Sequence, residues 1–214
     1  MIKAFIFDMD GVIADSQKVH SQIESDMLAR YGIHLSAEEI TDQFSGMRVA
    51  DFFQDLFDQH GITEDVGPIV IEKRQAIVDF VKEHGAEPMP GIFTLVDMLI
   101  DNNIALALGT ASSLELAGEI LKSLGLQDKI VIIASGHEVA KGKPEPDIFL
   151  LAAERLGMAP ADCVVVEDAR AGMQAAKAAK MKCIGLVSDK TADYPADVLV
   201  ESLEEVDMKM IASL

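Results

Sequence analysis

The chain opens with Ile2-Lys3-Ala4-Phe5-Ile6-Phe7-Asp8-Met9-Asp10-Gly11-Val12-Ile13-Ala14-Asp15, and the reading of this stretch decides the fold. Apart from Lys3, the run from Ile2 to Phe7 is apolar. A run this short, ended by Asp and Gly, predicts a strand buried on both faces. It delivers two carboxylates, Asp8 and Asp10, into the turn at its carboxyl end. Ligands in open α/β sheets bind beyond that end of the strands.

Outward from this stretch, the pattern changes to helical spacing. Ser16 is positioned to cap a helix whose apolar residues include Val19, Ile23, Met27 and Leu28. Ser36 with Glu39 reads as a capping box for a short second helix. Val49, Phe52, Phe53, Leu56 and Phe57 mark a third, and residues 66–83 a fourth, longer one. From residue 86 onward, apolar strands alternate with helices. Strands are expected at 104–109, 130–134, 163–166, 183–187 and 198–200, and helices at 91–101, 114–124, 148–156 and 171–180. Such alternation implies βαβ units and a parallel sheet. The fold class is therefore α/β. A doubly wound, Rossmann-like core is expected from residues 1–15 and 86–214, with a helical domain, residues 16–85, inserted after the first strand. An insertion at that point is suited to act as a lid.

The 214 residues are half hydrophobic, enough for a substantial core. The formal net charge is −18, from 36 acidic and 18 basic residues. That balance repels phosphate backbones and anionic membranes, so neither nucleic acid nor membrane is expected as a partner. No apolar run reaches spanning length and no signal peptide precedes the first strand, so a cytoplasmic protein is expected. Cys163 and Cys183 lie in apolar strand-like runs and read as reduced core cysteines. A monomer or weak dimer is expected.

Three later strand ends are polar. The strand at 104–109 runs into Thr110-Ala111-Ser112-Ser113, whose hydroxyls and backbone N–H groups suit an anion; Ser112 or Ser113 taken alone is an ordinary helix cap. The strand at 163–166 ends in Glu167-Asp168, which would also suit a helix start. The loop Lys141-Gly142-Lys143-Pro144-Glu145-Pro146-Asp147 presents lysines on a stiff turn. Together, Asp8, Asp10, Glu167 and Asp168 place up to four negative charges in one crevice, and these need a counter-charge. Carboxylate oxygens without a His or Cys cluster point to Mg²⁺. Thr110 and Lys143 add a donor and a positive charge for a phosphoryl oxygen. These parts suffice for phosphoryl transfer through an aspartyl-phosphate.

Asp8-Met9-Asp10-Gly11-Val12, Thr110, Lys143-Pro144-Glu145-Pro146-Asp147 and Glu167-Asp168 resemble the four motifs of the haloacid dehalogenase superfamily, in the right order over nearly the whole chain. The helical insertion resembles the α-helical cap of its phosphatase and β-phosphoglucomutase branch. The resemblance implies that Asp8 is the nucleophile and Asp10 the general acid and base. It implies that Thr110, the adjoining Ala111 and Lys143 bind the transferring phosphoryl group. Mg²⁺ would be held by Asp8, the backbone carbonyl of Asp10 and Asp168, with Glu167 in or near its shell. His20, Gly46, Arg48 and Ser112 are candidates for contact with the substrate or the cap hinge.

The implied activity is Mg²⁺-dependent hydrolysis of a small phosphorylated metabolite, a sugar or polyol monophosphate. β-Phosphoglucomutase is the alternative. Mutases of this branch carry Lys before the cap-loop Gly and Lys-Asn after the second motif; here Ser45, Ser113 and Leu114 stand in those places, and Arg48 comes one residue early. A mutase needs such cations to hold a bisphosphate, so their loss favours hydrolysis. A more distant alternative is a receiver-like module that accepts a phosphoryl group without turnover. Such modules place the acceptor Asp on a middle strand and lack a helical insertion after the first.

Overall fold

The structure is a computed structural model describing every residue except Ser45, Gly46 and Arg48. The chain divides into two compact units, Met1–Asp15 with Ala86–Leu214, and Ser16–Gly85.

The first unit is built on six parallel strands: β1 (Ala4–Phe7), β2 (Ala105–Thr110), β3 (Ile132–Ser135), β4 (Cys163–Glu167), β5 (Lys182–Leu186) and β6 (Val198–Val200). Their order is β3-β2-β1-β4-β5-β6, so the sheet is doubly wound from a central β1. All four residues of β1 are buried, as a strand covered on both faces requires. Register sets the position of the site. Phe7 lies opposite Leu108 of β2 and Val166 of β4, so the next residues, Asp8, Gly109 and Glu167, reach the carboxyl edge level with one another. One step further along β2, Thr110 pairs with Ser135 of β3.

The strands are joined by α5 (Ile92–Asp101), α6 (Leu114–Ser123), α7 (Asp147–Leu156) and α8 (Arg170–Ala178). These follow the four helices of the other unit, and α9 (Met208–Ser213) closes the chain. One core layer packs Phe149, Ala152 and Ala153 of α7 and Met173 of α8 against Ile6, Ala107, Cys163 and Val165. Gly109 is needed for this packing: a Cβ there would lie 2.9 Å from the Phe149 ring. Cys163 and Cys183 are buried free thiols, and burial pushes them up to about 11 and about 12.

The second unit contains α1 (Gln17–Ala29), α2 (Ala37–Phe44), α3 (Val49–His60) and α4 (Val66–His84). Its own core gathers Leu28, Ile40, Phe52, Phe53, Phe57 and Ile69. The capping box at α2 forms: Ser36 N donates to Glu39 Oε2 at 2.8 Å, and Glu39 N to Ser36 Oγ at 3.2 Å. Ser16 does stand at the N-cap of α1, but its side chain makes no capping hydrogen bond, because its backbone is itself helical (φ −92°, ψ −13°). Among the described residues, no helix is long and apolar enough to cross a membrane.

Candidate active site

The turn after β1 is tight. Ile13 N and Ala14 N both donate to Met9 O, and Gly11 N to Ala14 O, at 2.8–3.0 Å. Gly11 sits at φ +76°, and a Cβ on it would meet Asp168 Oδ2 at 2.1 Å. Glycine thus permits both the turn and the approach of the β4 end. Asp8 N donates to Val166 O at 2.9 Å, anchoring the head of the turn to β4.

Three acids converge there. Asp8, Glu167 and Asp168 each bring a carboxylate oxygen to within 4.8 Å of the others. Asp8 and Glu167 are buried, and Asp168 is partly exposed. Lys143 bridges the first two, donating to Asp8 Oδ1 at 2.5 Å and to Glu167 Oε1 at 2.7 Å. Its ammonium also stands 4.8 Å from the centre of the Phe149 ring, the ring that Gly109 admits. Glu167 is fixed at its other oxygen by Ala169 N, at 2.9 Å. A Cβ at Gly172, in the first turn of α8, would fall 1.6 Å from Glu167 Oε1. The absence of a side chain at Gly172 is therefore what leaves room for the Glu167 carboxylate.

The electrostatics follow from this crowding. Burial, then the Glu167 charge, raises the Asp8 carboxyl well above its ordinary range, although Lys143 pulls the other way. Asp168 is pushed up to about 7, by burial first and by Glu167 next. Burial alone would lower Lys143, but the charges of Asp8 and Glu167 and their hydrogen bonds outweigh it and hold the ammonium protonated. One lysine does not balance the cluster, and the remaining Glu167 charge adds to burial in raising both carboxyls. The donor set is all hard oxygen and fits a small divalent cation of the magnesium type.

Asp10 is not among the three clustered carboxylates. Its Oδ2 accepts from Ser112 Oγ at 3.2 Å. Ser112 is placed in turn by two bonds: its N donates to Thr110 Oγ1 at 3.0 Å, and its carbonyl accepts from Ser135 Oγ at 2.6 Å. Thr110 and Ser135 are wholly buried, and Ala111 is exposed. Ser113, not Ser112, caps α6, accepting from Leu116 N at 3.2 Å. So the core unit brings together Asp8, Lys143, Glu167 and Asp168, and beside β2 the set Asp10, Ser112 and Thr110. His20 lies on α1 of the helical unit. Gly46, Arg48 and Ser45 lie outside the described residues. Sequence reasoning missed two contributors. Ser135 is signalled only by its register with Thr110, and Gly172 only by its place five residues after Glu167.

A parallel sheet wound from its central first strand, with this cluster at its carboxyl edge, defines an α/β enzyme of the haloacid dehalogenase-like hydrolase kind. The model for haloacid dehalogenase-like hydrolases matches residues 5–186, and the chain belongs to that family. It is 31% identical to hexitol phosphatase B of Escherichia coli over 215 residues, covering 97% of this chain and 96% of that protein. It is 30% identical to β-phosphoglucomutase of Bacillus subtilis over 216 residues, covering 98% and 94%. The crystal structure of CbbY from Rhodobacter sphaeroides in complex with phosphate superposes with a TM-score of 0.80 at 27% identity, covering 96% of each chain.

Proposed function

We propose that the protein is a Mg²⁺-dependent phosphatase of small phosphorylated metabolites, of the sugar or polyol monophosphate class. In this reading the unit of residues 1–15 and 86–214 carries the chemistry, and the helical unit of residues 16–85 selects the substrate. The observation that carries the reading is the buried Asp8–Lys143–Glu167 arrangement with Asp168 beside it, at the carboxyl edge of the sheet. The similarity to a hexitol phosphatase supports the substrate class.

Asp8 attacks the phosphorus, the ester P–O bond breaks, and the leaving oxygen takes a proton from Asp10. Water then attacks the phosphorus of the aspartyl-phosphate and gives its proton to Asp10, and the acyl–phosphate bond breaks to release inorganic phosphate and restore Asp8. Ser112 holds the Asp10 carboxyl. Lys143 neutralises phosphoryl oxygens, with Glu167 orienting it. Mg²⁺ would be held by Asp8 and Asp168, and when bound it offsets the charge of the phosphoryl group and of the acids. Glu167 is occupied at both oxygens, by Lys143 and by Ala169 N, so it serves mainly to hold the lysine.

Hydrolysis is preferred over the mutase reading, which the B. subtilis relative keeps in view. Ser113 spends its hydroxyl on capping α6, and Leu114 is an exposed apolar residue, so neither offers a cation to a second phosphate. The test is product analysis with hexitol and hexose monophosphates. Free phosphate without a bisphosphate activator is expected. Conversion of β-glucose 1-phosphate to glucose 6-phosphate faster than phosphate release would establish the mutase instead. No turnover of any ester, with stable phosphorylation of Asp8, would establish a receiver-like module.

A further inference from the structure

β3 is the outermost strand on its side of the sheet, with β2 as its neighbour. It ends at Ser135, opposite Thr110. Ser135 is wholly buried, and its hydroxyl has one proton to give. That proton goes to the carbonyl of Ser112, at 2.6 Å. Ser112 is the residue whose own hydroxyl donates to Asp10 Oδ2 at 3.2 Å. Gly136 adds a second contact. A Cβ on it would lie 3.1 Å from the Ala111 Cα, so the turn after β3 packs directly on the backbone of residues 110–112.

Ser135 is itself held. It caps the single helical turn Gly136–Glu138: its Oγ accepts from His137 N at 3.2 Å, and its N donates to Glu138 Oε2 at 3.0 Å. Arg155 of α7 donates to both oxygens of Glu138, at 3.0 and 2.8 Å, and also to the carbonyl of Ile133 in β3. Both side chains are partly exposed, and most ion pairs of that kind add little stability. What a two-pronged guanidinium–carboxylate pair adds is direction. Here it fixes the Ser135 backbone. α7 also carries Phe149, the ring against the Lys143 ammonium. One helix thus supports the lysine at Asp8 and the chain of hydrogen bonds that ends on Asp10.

We propose that Ser135 is a positioning residue for proton transfer by Asp10, acting through Ser112, with Glu138 and Arg155 holding Ser135 in place. The inference rests on the phosphatase reading, in which Asp10 protonates the leaving oxygen. A general acid must lie within hydrogen-bond reach of that oxygen, and a small misplacement costs rate. Asp10 lies in the turn beyond β1, so its carboxyl is aimed by the groups bonded to it. Without the Ser135 hydroxyl the Ser112 carbonyl loses its tether, and Ser112 no longer holds Asp10 in one direction. The loss weighs most on leaving groups that need a proton.

The test compares kcat/KM for phenyl phosphate with kcat/KM for p-nitrophenyl phosphate, using the full chain with Mg²⁺. The two esters are similar in size, and departing phenolate needs the proton more than p-nitrophenolate does. kcat/KM covers the steps up to departure of the leaving group, so hydrolysis of the aspartyl-phosphate does not enter. Ser135→Ala, its fold checked by circular dichroism, should lower the phenyl to p-nitrophenyl ratio about fivefold. Arg155→Met, at a partly exposed position, should lower it about threefold and decides the matter if Ser135→Ala does not fold. A purely structural role would lower both values alike and leave the ratio unmoved. A wild-type ratio in folded Ser135→Ala, or in Arg155→Met when that variant decides, overturns the positioning role and leaves the phosphatase standing. A wild-type protein that cleaves neither ester removes the phosphatase reading and the positioning role together.

Discussion

Each unit of the molecule withdraws a lysine from solvent, Lys73 fully and Lys143 largely, and the two are surrounded differently. Lys73 meets a single carboxylate, Glu24, and the charges cancel. Lys143 meets Asp8 and Glu167, with Asp168 in the same cluster. Burial first, and then the Glu167 charge, raises Asp8 and takes Asp168 up to about 7. Negative charge left over in a buried site calls for a cation, and on the proposed reading that cation would in turn offset the charge of a phosphoryl group. The Glu24–Lys73 pair cancels its own charge and calls for no counter-ion.

The comparison is broken most severely at Asp8. On the proposed mechanism Asp8→Asn replaces the nucleophile with a poor one and removes a ligand of the proposed metal, and phosphate release should fall by at least about a thousandfold. Next comes Lys143→Met, which leaves Asp8 and Glu167 buried against each other. Removing one partner of a buried ion pair costs about 3–5 kcal/mol, a loss that urea denaturation at neutral pH would register, and turnover should be lost as well. An unchanged denaturation midpoint would show that the acids are not held apart by this lysine. Gly172→Ala forces a carbon onto the Glu167 carboxylate, which must rotate or push α8 away. A cost of about 1–3 kcal/mol is expected, with at least a tenfold loss in kcat because Lys143 loses its second anchor. Smallest is Ser112→Ala, which removes one hydrogen bond to Asp10. A net contribution of ~0.5–1.5 kcal/mol corresponds to roughly a two- to thirteenfold fall in kcat. That loss should be smaller for esters with good leaving groups, which need less help from an acid.

The sheet was legible in the sequence because its strands are continuous apolar runs, and a parallel sheet buried on both faces writes itself that way. The same signal misleads where an apolar residue is buried outside a strand. Ile130 was expected to begin β3, which starts at Ile132. Instead Ile130 is buried in a turn, its N donating to Leu126 O at 2.9 Å. The acids and Lys143 stood out because charge at the end of an apolar strand is unusual. Ser112 was ambiguous between cap and site because a serine before a helix reads the same in either role. Only the structure divides the roles, giving the cap to Ser113 and Asp10 to Ser112. Glu24 and Lys73 lie 49 residues apart on helices with ordinary charged positions, and no local pattern marks them as partners. Gly172 is explained only when a Cβ is placed on it, since its function is the space it leaves.

The most direct test of the central claim is phosphate release from sorbitol 6-phosphate by protein stripped with a chelator and then titrated with Mg²⁺, run in parallel with Asp8→Asn. The excess carboxylate charge predicts negligible release without the metal and saturable recovery on its addition, with none at any concentration for the Asn variant. Equal rates in chelator and in magnesium, or release by Asp8→Asn at the wild-type rate, would contradict the account.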